Sequence, residues 1–496
     1  MVLKLTLDTH FNMYFRIIFT LIISFAFNQD VFDGYTLFCP LTDGPGGGGD
    51  SYTRLINNDG EIINQWDHEV SAATTPYLLP DSTLICPFKI EDPFMVGAAY
   101  GGRIIHYDWD GDIIWEYTYS DTNHLQHHDI EPMPNGNLLI LSWDRKTYLE
   151  AINAGRVEID SDIWPDKIVE LEPIGLNGAN IVWEWSFWDH IIQDSDPLLP
   201  NYGVISEHPE LLDINLVSLS LAPLGYSDWT HSNSIDYNEE LDQILISSRN
   251  MHEIYIIDHS TTTEEAAGHS GGNSGMGGDI LYRWGNPINY GRGQESNRML
   301  IGQHDANWIP DGYPGQGDII IYNNGSITSF GQDLTQSSVV QITPPLNELG
   351  LYNIDEVHAF PPFDYSWSYT GDFFSHIMSG VRRLENGNTI ITSATEKYIF
   401  EIDTEGNVVW EYEHNGIGQN TISKAFKYPI DYLSHYAELG DVNLDSVIDI
   451  LDIILIVNFI LEEIDFTDEQ FYMSDLNQDQ DVSVIDIIII SNLILS

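Results

Sequence analysis

One short pattern recurs along most of this chain and restricts the fold more than any other feature. A strand-like run meets a turn, a second apolar run follows, and then come an Ile-Asp strand, another turn and a Trp-centred strand. RLINNDGEIINQW from Arg54, IIHYDWDGDIIWEY from Ile104 and YIFEIDTEGNVVWEY from Tyr398 show the second half of this pattern. Asn-Gly and Asp-Gly pairs between alternating apolar residues mark tight hairpins, because these residues tolerate positive φ. Paired inner strands are expected in PYLLPDSTLIC, IEPMPNGNLLIL, SIDYNEELDQILIS, ANWIPDGYPGQGDIII and VRRLENGNTIITS, starting near Pro76, Ile130, Ser234, Ala306 and Val381. Repeated four-stranded units of this kind stack radially into a β-propeller. Five clear units and a split one that closes the ring predict an all-β domain, a six-bladed β-propeller over residues 35–432.

The spacing of the repeats is irregular. Segments Glu158–Pro173, Phe187–Pro223 and the Gly-rich Gly268–Gly278 are expected as insertions, and long excursions from a regular scaffold commonly shape a binding face. Trp185, Trp188 and Trp229 sit near them. For most of the 13 tryptophans, packing between blades is the expected role.

Charge narrows the partners. Against 76 acidic residues stand 18 basic ones, a formal net charge of −58 over 496 residues, which argues against nucleic acid or an anionic membrane as a partner. A hydrophobic content of 43% marks a packed protein and not an acidic disordered chain. At the amino terminus Arg16 precedes the apolar run Ile17–Phe27, and Ser24-Phe25-Ala26 offers small residues for cleavage, so residues 1–26 read as a signal peptide. The run is shorter than the ~20 residues that span a bilayer, so a secreted protein without a membrane span is expected. Cys39 and Cys86 are compatible with one disulfide or with two buried thiols.

Four residues stand at similar points of successive repeats: His128 in HHDIEPMPNGNLLIL, His231 and Arg249 at the two ends of HSNSIDYNEELDQILISSR, and His304 in QHDANWIP. Inner-strand residues at one end of a propeller face a common funnel. Three imidazoles and a guanidinium suit an oxyanion such as sulfate or phosphate, because guanidinium is a bidentate donor and imidazole can also act as nucleophile or proton carrier. His124 and His127, beside His128, read as solvated or hydrogen-bonded surface groups. No Ser/His/Asp motif or phosphate loop competes with the quartet.

HHDIEPMPNGNLLIL, WTHSNSI, the following ISSR and GQHDANW, in this order, resemble the bacterial arylsulfate sulfotransferases over nearly the whole region up to Tyr432. The resemblance implies a six-bladed propeller that moves a sulfuryl group from a phenolic sulfate ester to another phenol, without PAPS and with no cofactor for the transfer. His304 would become transiently sulfated, while His128, His231 and Arg249 would bind the sulfuryl oxygens. Two other readings remain open on the sequence: a secreted propeller that binds or scaffolds, and an aryl sulfate hydrolase in which water replaces the phenol.

From Gly440 the style changes. DVNLDSVIDILDIILIVNFIL and DLNQDQDVSVIDIIIISNLIL each set carboxylates or amides at loop positions 1, 3, 5 and 12 before an apolar helical run. These are Asp441, Asn443, Asp445 and Asp452, then Asp475, Asn477, Asp479 and Asp486, with Asp481 in the second loop. Hard oxygen donors at this spacing suit Ca²⁺. The pair resembles the duplicated loop-helix module of type I dockerins, which implies a small α-helical module over residues 440–496, structural Ca²⁺ and a protein partner.

Overall fold

A computed structural model describes residues 31–42, 51–217, 227–328, 331–333, 335–347, 350–352, 357–416, 419–436, 439–443, 448–461, 464, 466, 468–477 and 482–495. The expected signal peptide lies outside these residues. Six four-stranded antiparallel sheets form a six-bladed propeller. Blade 1 begins at Tyr77–Leu78, blade 2 at His124–Pro132, blade 3 at Ser232–Asn238, blade 4 at His304–Trp308 and blade 5 at Gly380–Arg383. Within each of these blades the strands follow chain order from the channel outward. Blade 6 is split: the late strand Gln419–Pro429 is innermost, and Gly34–Thr42, Ser51–Ile56 and Ile62–His68 complete it.

Strands in the middle of the blades are buried on both faces and therefore appear as unbroken apolar runs. Leu138–Asp144, Glu253–Asp258 and Ile319–Asn323 are buried at every residue. Their side chains fill the wedges between sheets, as where Leu141 and Ile168 of blade 2 join one cluster with Ile246 and Tyr255 of blade 3. The outer strands contribute the recurring tryptophans. Indole N–H groups donate to a backbone carbonyl of the next blade from Trp66 to Asp108, Trp115 to Gly178, Trp185 to Gly278, Trp284 to Pro362 and Trp410 to Asn58, at 2.7–2.8 Å. At the remaining junction Arg383 of blade 5 lies 4.8 Å from the ring centroid of Trp367 in blade 4. Packing between blades is thus the role of these rings, and each indole N–H also finds an acceptor on the neighbouring blade.

Two expectations change. Glu158–Pro173 is not an insertion throughout, because Asp166–Ile174 is the third strand of blade 2. The described part of Phe187–Pro223, residues 187–217, does leave the blade pattern, through short 3₁₀ turns at Phe187–His190 and Ile205–Glu207. Cys39 and Cys86 are both buried free thiols in one apolar cluster. Burial pushes the Cys39 thiol up to about 12. After the propeller come helices Ile450–Ile460, Asp468–Ser474 and Val484–Leu495; the middle one is additional to the two helical runs expected. No described helix is long and apolar enough to cross a membrane.

Candidate active site

Inner strands of blades 2, 3 and 4 share one irregularity at the same end of the channel. Pairing with the second strand slips between Gln126 and Ile130, between Ser232 and Ser234, and between His304 and Asn307. At or beside each slip one non-glycine residue takes a positive φ: His128 at 50°, His231 at 51° and Asp305 at 54°. A bulge turns the strand locally and re-aims a side chain, here toward the channel axis. The left-handed conformation costs on the order of 1–3 kcal/mol per residue and persists where the surrounding structure imposes it. Arg249 comes from the strand paired with that of His231, and its backbone N–H donates to the His231 carbonyl at 3.0 Å.

All four sequence-derived residues line one cavity of about 320 Å³, together with Asp129, Asp305 and Lys424. The rings of His128 and His231 meet edge-on with centroids 4.7 Å apart. His231 Nδ1 lies 2.5 Å from Asp228 Oδ2, and the other oxygen of that carboxylate accepts from Trp143 Nε1 at 3.1 Å. His128 Nδ1 sits 2.7 Å from His127 Nδ1. Among the described residues, Nε2 of His128 and of His231 therefore remain available to the cavity. Burial, reinforced by the charges of His231, His127, His304 and Arg249, holds His128 well below the usual imidazole range.

His304 is constrained at both nitrogens. Its Nδ1–H donates to Asn324 Oδ1 at 2.7 Å, which leaves the Nε2 lone pair in the cavity, where it accepts from Met378 N–H at 3.2 Å. Burial and the nearby Arg249 guanidinium push His304 down to about 3, so the ring is a neutral base with its lone pair on Nε2. Arg249 is half-buried, and among the described residues its Nε has no hydrogen-bond partner. Burial lowers its pKa while Asp228 pulls the other way. A half-buried guanidinium with a spare donor beside three imidazoles has the chemistry to bind an oxyanion.

The floor of the cavity is balanced. Lys424 Nζ lies 2.8 Å from Asp129 Oδ2, 3.3 Å from Asp305 Oδ1 and 3.0 Å from the Tyr77 hydroxyl, while Arg382 reaches Asp305 at 2.5 Å. Despite burial, these two cations keep the Asp305 carboxyl below its usual range, and the carboxylates of Asp129 and Asp305 hold Lys424 up. Farther along the channel, burial and neighbouring carboxylates raise Glu131 well above the usual range, and burial raises Asp236 to about 6.

Of the two neighbouring histidines, His124 matches the expected surface role and His127 does not. His127 is not a surface group: it is fully buried, stacks on Trp143 at 4.5 Å, and has Nε2 3.1 Å from Asp166 Oδ1. His124 is partly exposed beside Asp121 and lies outside the cavity. Asn324, Met378 and Lys424 carried no motif. Only Asp228, three residues before His231, offered a local signal.

A family model for arylsulfotransferase (ASST) matches residues 48–399, which include all four residues of the quartet. The chain belongs to the arylsulfotransferase family. A dockerin type I domain model matches residues 439–495. No curated protein matches the chain. Among solved structures, a protein of unknown function from Bacteroides caccae shares 11% identity, covering 80% of this chain and 98% of its own, with a TM-score of 0.42. Virginiamycin B lyase from Staphylococcus aureus shares 12%, covering 77% and 90%, with a TM-score of 0.32. Likeness at this level bears on neither substrate nor chemistry.

Dockerin type I domains are calcium-binding modules, and the residues here fit that cation. Asp441, Asp452, Asp475 and Asp486 are buried, yet no Lys, Arg or His occurs from Gly440 to the end of the chain. Buried carboxylates in a segment without basic residues of its own suit a bound cation. The two loops also repeat each other in detail. Asp452 Oδ1 accepts from Val442 N and Asn443 N at 2.8 and 3.0 Å, and Asp486 Oδ1 accepts from Leu476 N and Asn477 N at 2.9 and 3.4 Å. Asn443 and Asn477 are placed in these turns, whereas Asp445, Asp479 and Asp481 lie outside the described residues.

Replacing Arg249 by Lys keeps the charge and loses the planar fork. Arg249→Lys is expected to weaken inorganic sulfate binding about tenfold, the worth of one charge-assisted hydrogen bond, as read by titration calorimetry. Unchanged affinity would make Arg249 a structural group only. For the module, residues 440–496 are expected to be largely unfolded in chelator and to gain helix on adding Ca²⁺, as followed by far-UV circular dichroism. A flat titration would leave a plain helical hairpin.

Proposed function

We propose that this protein transfers a sulfuryl group from a phenolic sulfate ester to a phenolic acceptor in two steps through His304, without PAPS. Family membership supports sulfotransfer between aryl compounds, and the observation that carries the route is the tautomer of His304. With Nδ1–H donated to Asn324, Nε2 is the nucleophile. In the first step the Nε2 lone pair attacks sulfur, the bond between sulfur and the aryl oxygen breaks, and the phenolate leaves to take a proton. The sulfated ring is cationic, and its Nδ1–H remains bonded to the Asn324 carbonyl. In the second step the acceptor oxygen attacks sulfur, the N–S bond breaks, and the phenolic proton leaves to solvent.

His128, His231 and Arg249 would bind the three non-bridging oxygens and stabilise the charge that shifts onto them. Attack displaces the hydrogen bond from Met378 N–H, which can then turn to a sulfuryl oxygen. Ala98, Ala99 and Ile377 on the cavity wall supply apolar surface for an aromatic ring. The propeller over residues 35–432 would be the catalytic unit of a secreted protein, and residues 440–496 would dock it to a cohesin-type partner.

His304→Ala should abolish transfer with the propeller still folded. Enzyme quenched with donor alone should carry one sulfated histidine by mass spectrometry, and added phenol should discharge it; full transfer in the alanine variant would falsify the assignment. The pH profile is a separate check. A histidine of ordinary pKa loses about tenfold in neutral base per pH unit below ~6.5. Because the His304 pKa is pushed down to about 3, its neutral form is nearly complete from about one pH unit above that value upward. The single-turnover rate of donor cleavage should therefore stay level from pH 7 to about 4. A tenfold fall per unit beginning near 6.5 would show an ordinary imidazole instead.

A further inference from the structure

The insertions Phe187–Pro223 and Gly268–Gly278 are joined by a side-chain cluster outside the cavity of the quartet. His190 Nδ1 and His269 Nδ1 both approach Asp279 Oδ1, at 2.8 and 2.7 Å. These three atoms lie within 4.8 Å of one another. We propose that His190, His269 and Asp279 bind one divalent transition-metal ion of the zinc class, which ties the Gly-rich loop to the 187–190 turn.

The deciding geometry is at His190. Its Nε2 lies 2.8 Å from the Ala266 carbonyl, an obligate acceptor, so Nε2 carries the hydrogen. In the neutral ring Nδ1 then presents a bare lone pair, and it points at a carboxylate oxygen. Two lone pairs at 2.8 Å between the buried His190 and Asp279 repel unless a positive charge lies between them. Outer hydrogen bonding of this kind, from the far ring nitrogen to a carbonyl, is how metal-bound histidines are oriented.

Several features hold the ring in place. Trp185 stacks on His190 with 5.7 Å between centroids and 9° between planes. The loop backbone passes so close that a Cβ on Gly278 would sit 1.9 Å from Ala266 O and 2.7 Å from His190 Nε2, so only glycine fits there. Asp279 is buried and brings its one shared oxygen to both rings. His269 is different: its side chain is 63% exposed, which gives the ion a route in and leaves room for water as a fourth ligand. Two imidazoles and one carboxylate select zinc-class ions over calcium, whose sites are built of oxygen. Tetrahedral Zn²⁺ with bonds of 2.0–2.2 Å separates its ligand atoms by roughly 3.3 Å. Each contact would open by about half an ångström; the exposed His269 can move outward, whereas the His190–Asp279 contact needs a small shift of the Asp279 carboxylate.

The test uses the full chain in saturating Ca²⁺, so that the carboxyl-terminal loops do not compete, with Co²⁺ as the probe. The intact protein should take up one equivalent of Co²⁺ with a visible ligand-field band characteristic of nitrogen donors, and Zn²⁺ should displace it. His269→Ala changes an exposed side chain and should keep the fold by circular dichroism while losing that band and that equivalent. Asp279→Asn should do the same, and His304→Ala should leave the band unchanged. Absence of a nitrogen-type band in the intact protein would show that a proton, and not a metal, bridges the three groups. A band that survives in His269→Ala or disappears in His304→Ala would place the ion elsewhere, and either result overturns the site.

Discussion

The ring closes where the late strand Gln419–Pro429 pairs with Gly34–Thr42, and the cavity depends on that pairing. Phe38 faces Ala425 and Tyr35 faces Tyr428 in the register, so Lys424 arrives on the channel side between blades 2 and 4. A buried ammonium is costly unless it is paired, and removing one partner of a buried pair costs about 3–5 kcal/mol. Asp129 of blade 2 and Asp305 of blade 4 supply the partners. Three residues further on, Lys427 pairs with Glu401 of blade 5, and that carboxylate also accepts from the Phe32 backbone and from Asn388. Closure therefore joins both ends of the propeller and sets the charge at its centre together.

Once the ring is closed, the bulges at the mouth of blades 2, 3 and 4 determine where the quartet points. A regular strand would send alternate residues away from the axis. The extra residues at the slips, two in blade 2 and one each in blades 3 and 4, interrupt that alternation and present His128, His231 and His304 to one volume. His128 and His231, and Asp305 next to His304, are held at positive φ, so the direction of these side chains is set by the folded backbone.

Charge is distributed in an unusual way for a chain with a net −58. Few basic residues exist, and several are spent inside: Arg283 on Glu253, Lys427 on Glu401, and Lys424 and Arg382 around Asp305. An anionic donor approaching such a surface meets long-range repulsion, which at ~0.1 M salt is screened beyond about 10 Å. Inside the cavity Arg249 has no carboxylate at ion-pair distance among the described residues, and it dominates locally. The same excess of carboxylates makes the carboxyl-terminal loops and the His190 cluster natural places for cations.

The repeat, the hairpin turns, the six blades and the two calcium-type loops were legible in the sequence, because each is set by local periodicity or by spacing along one segment. The quartet was legible too, since each member stands at an equivalent point of a repeat. What surrounds it was not. His127 looked like a strand-end surface group, yet the slip after Gln126 turns it inward onto Trp143 and Asp166. The strand Asp166–Ile174 was mistaken for part of an insertion because the excursion before it disrupts the spacing. Asn324, twenty residues from His304, decides which ring nitrogen carries the lone pair, and Lys424 comes from 295 residues away along the chain to reach Asp129. Local order along the chain determined the strands and the residues that carry chemistry. Their tautomers, their burial and their meeting point were decided by contacts between distant segments, which exist only when the ring is closed.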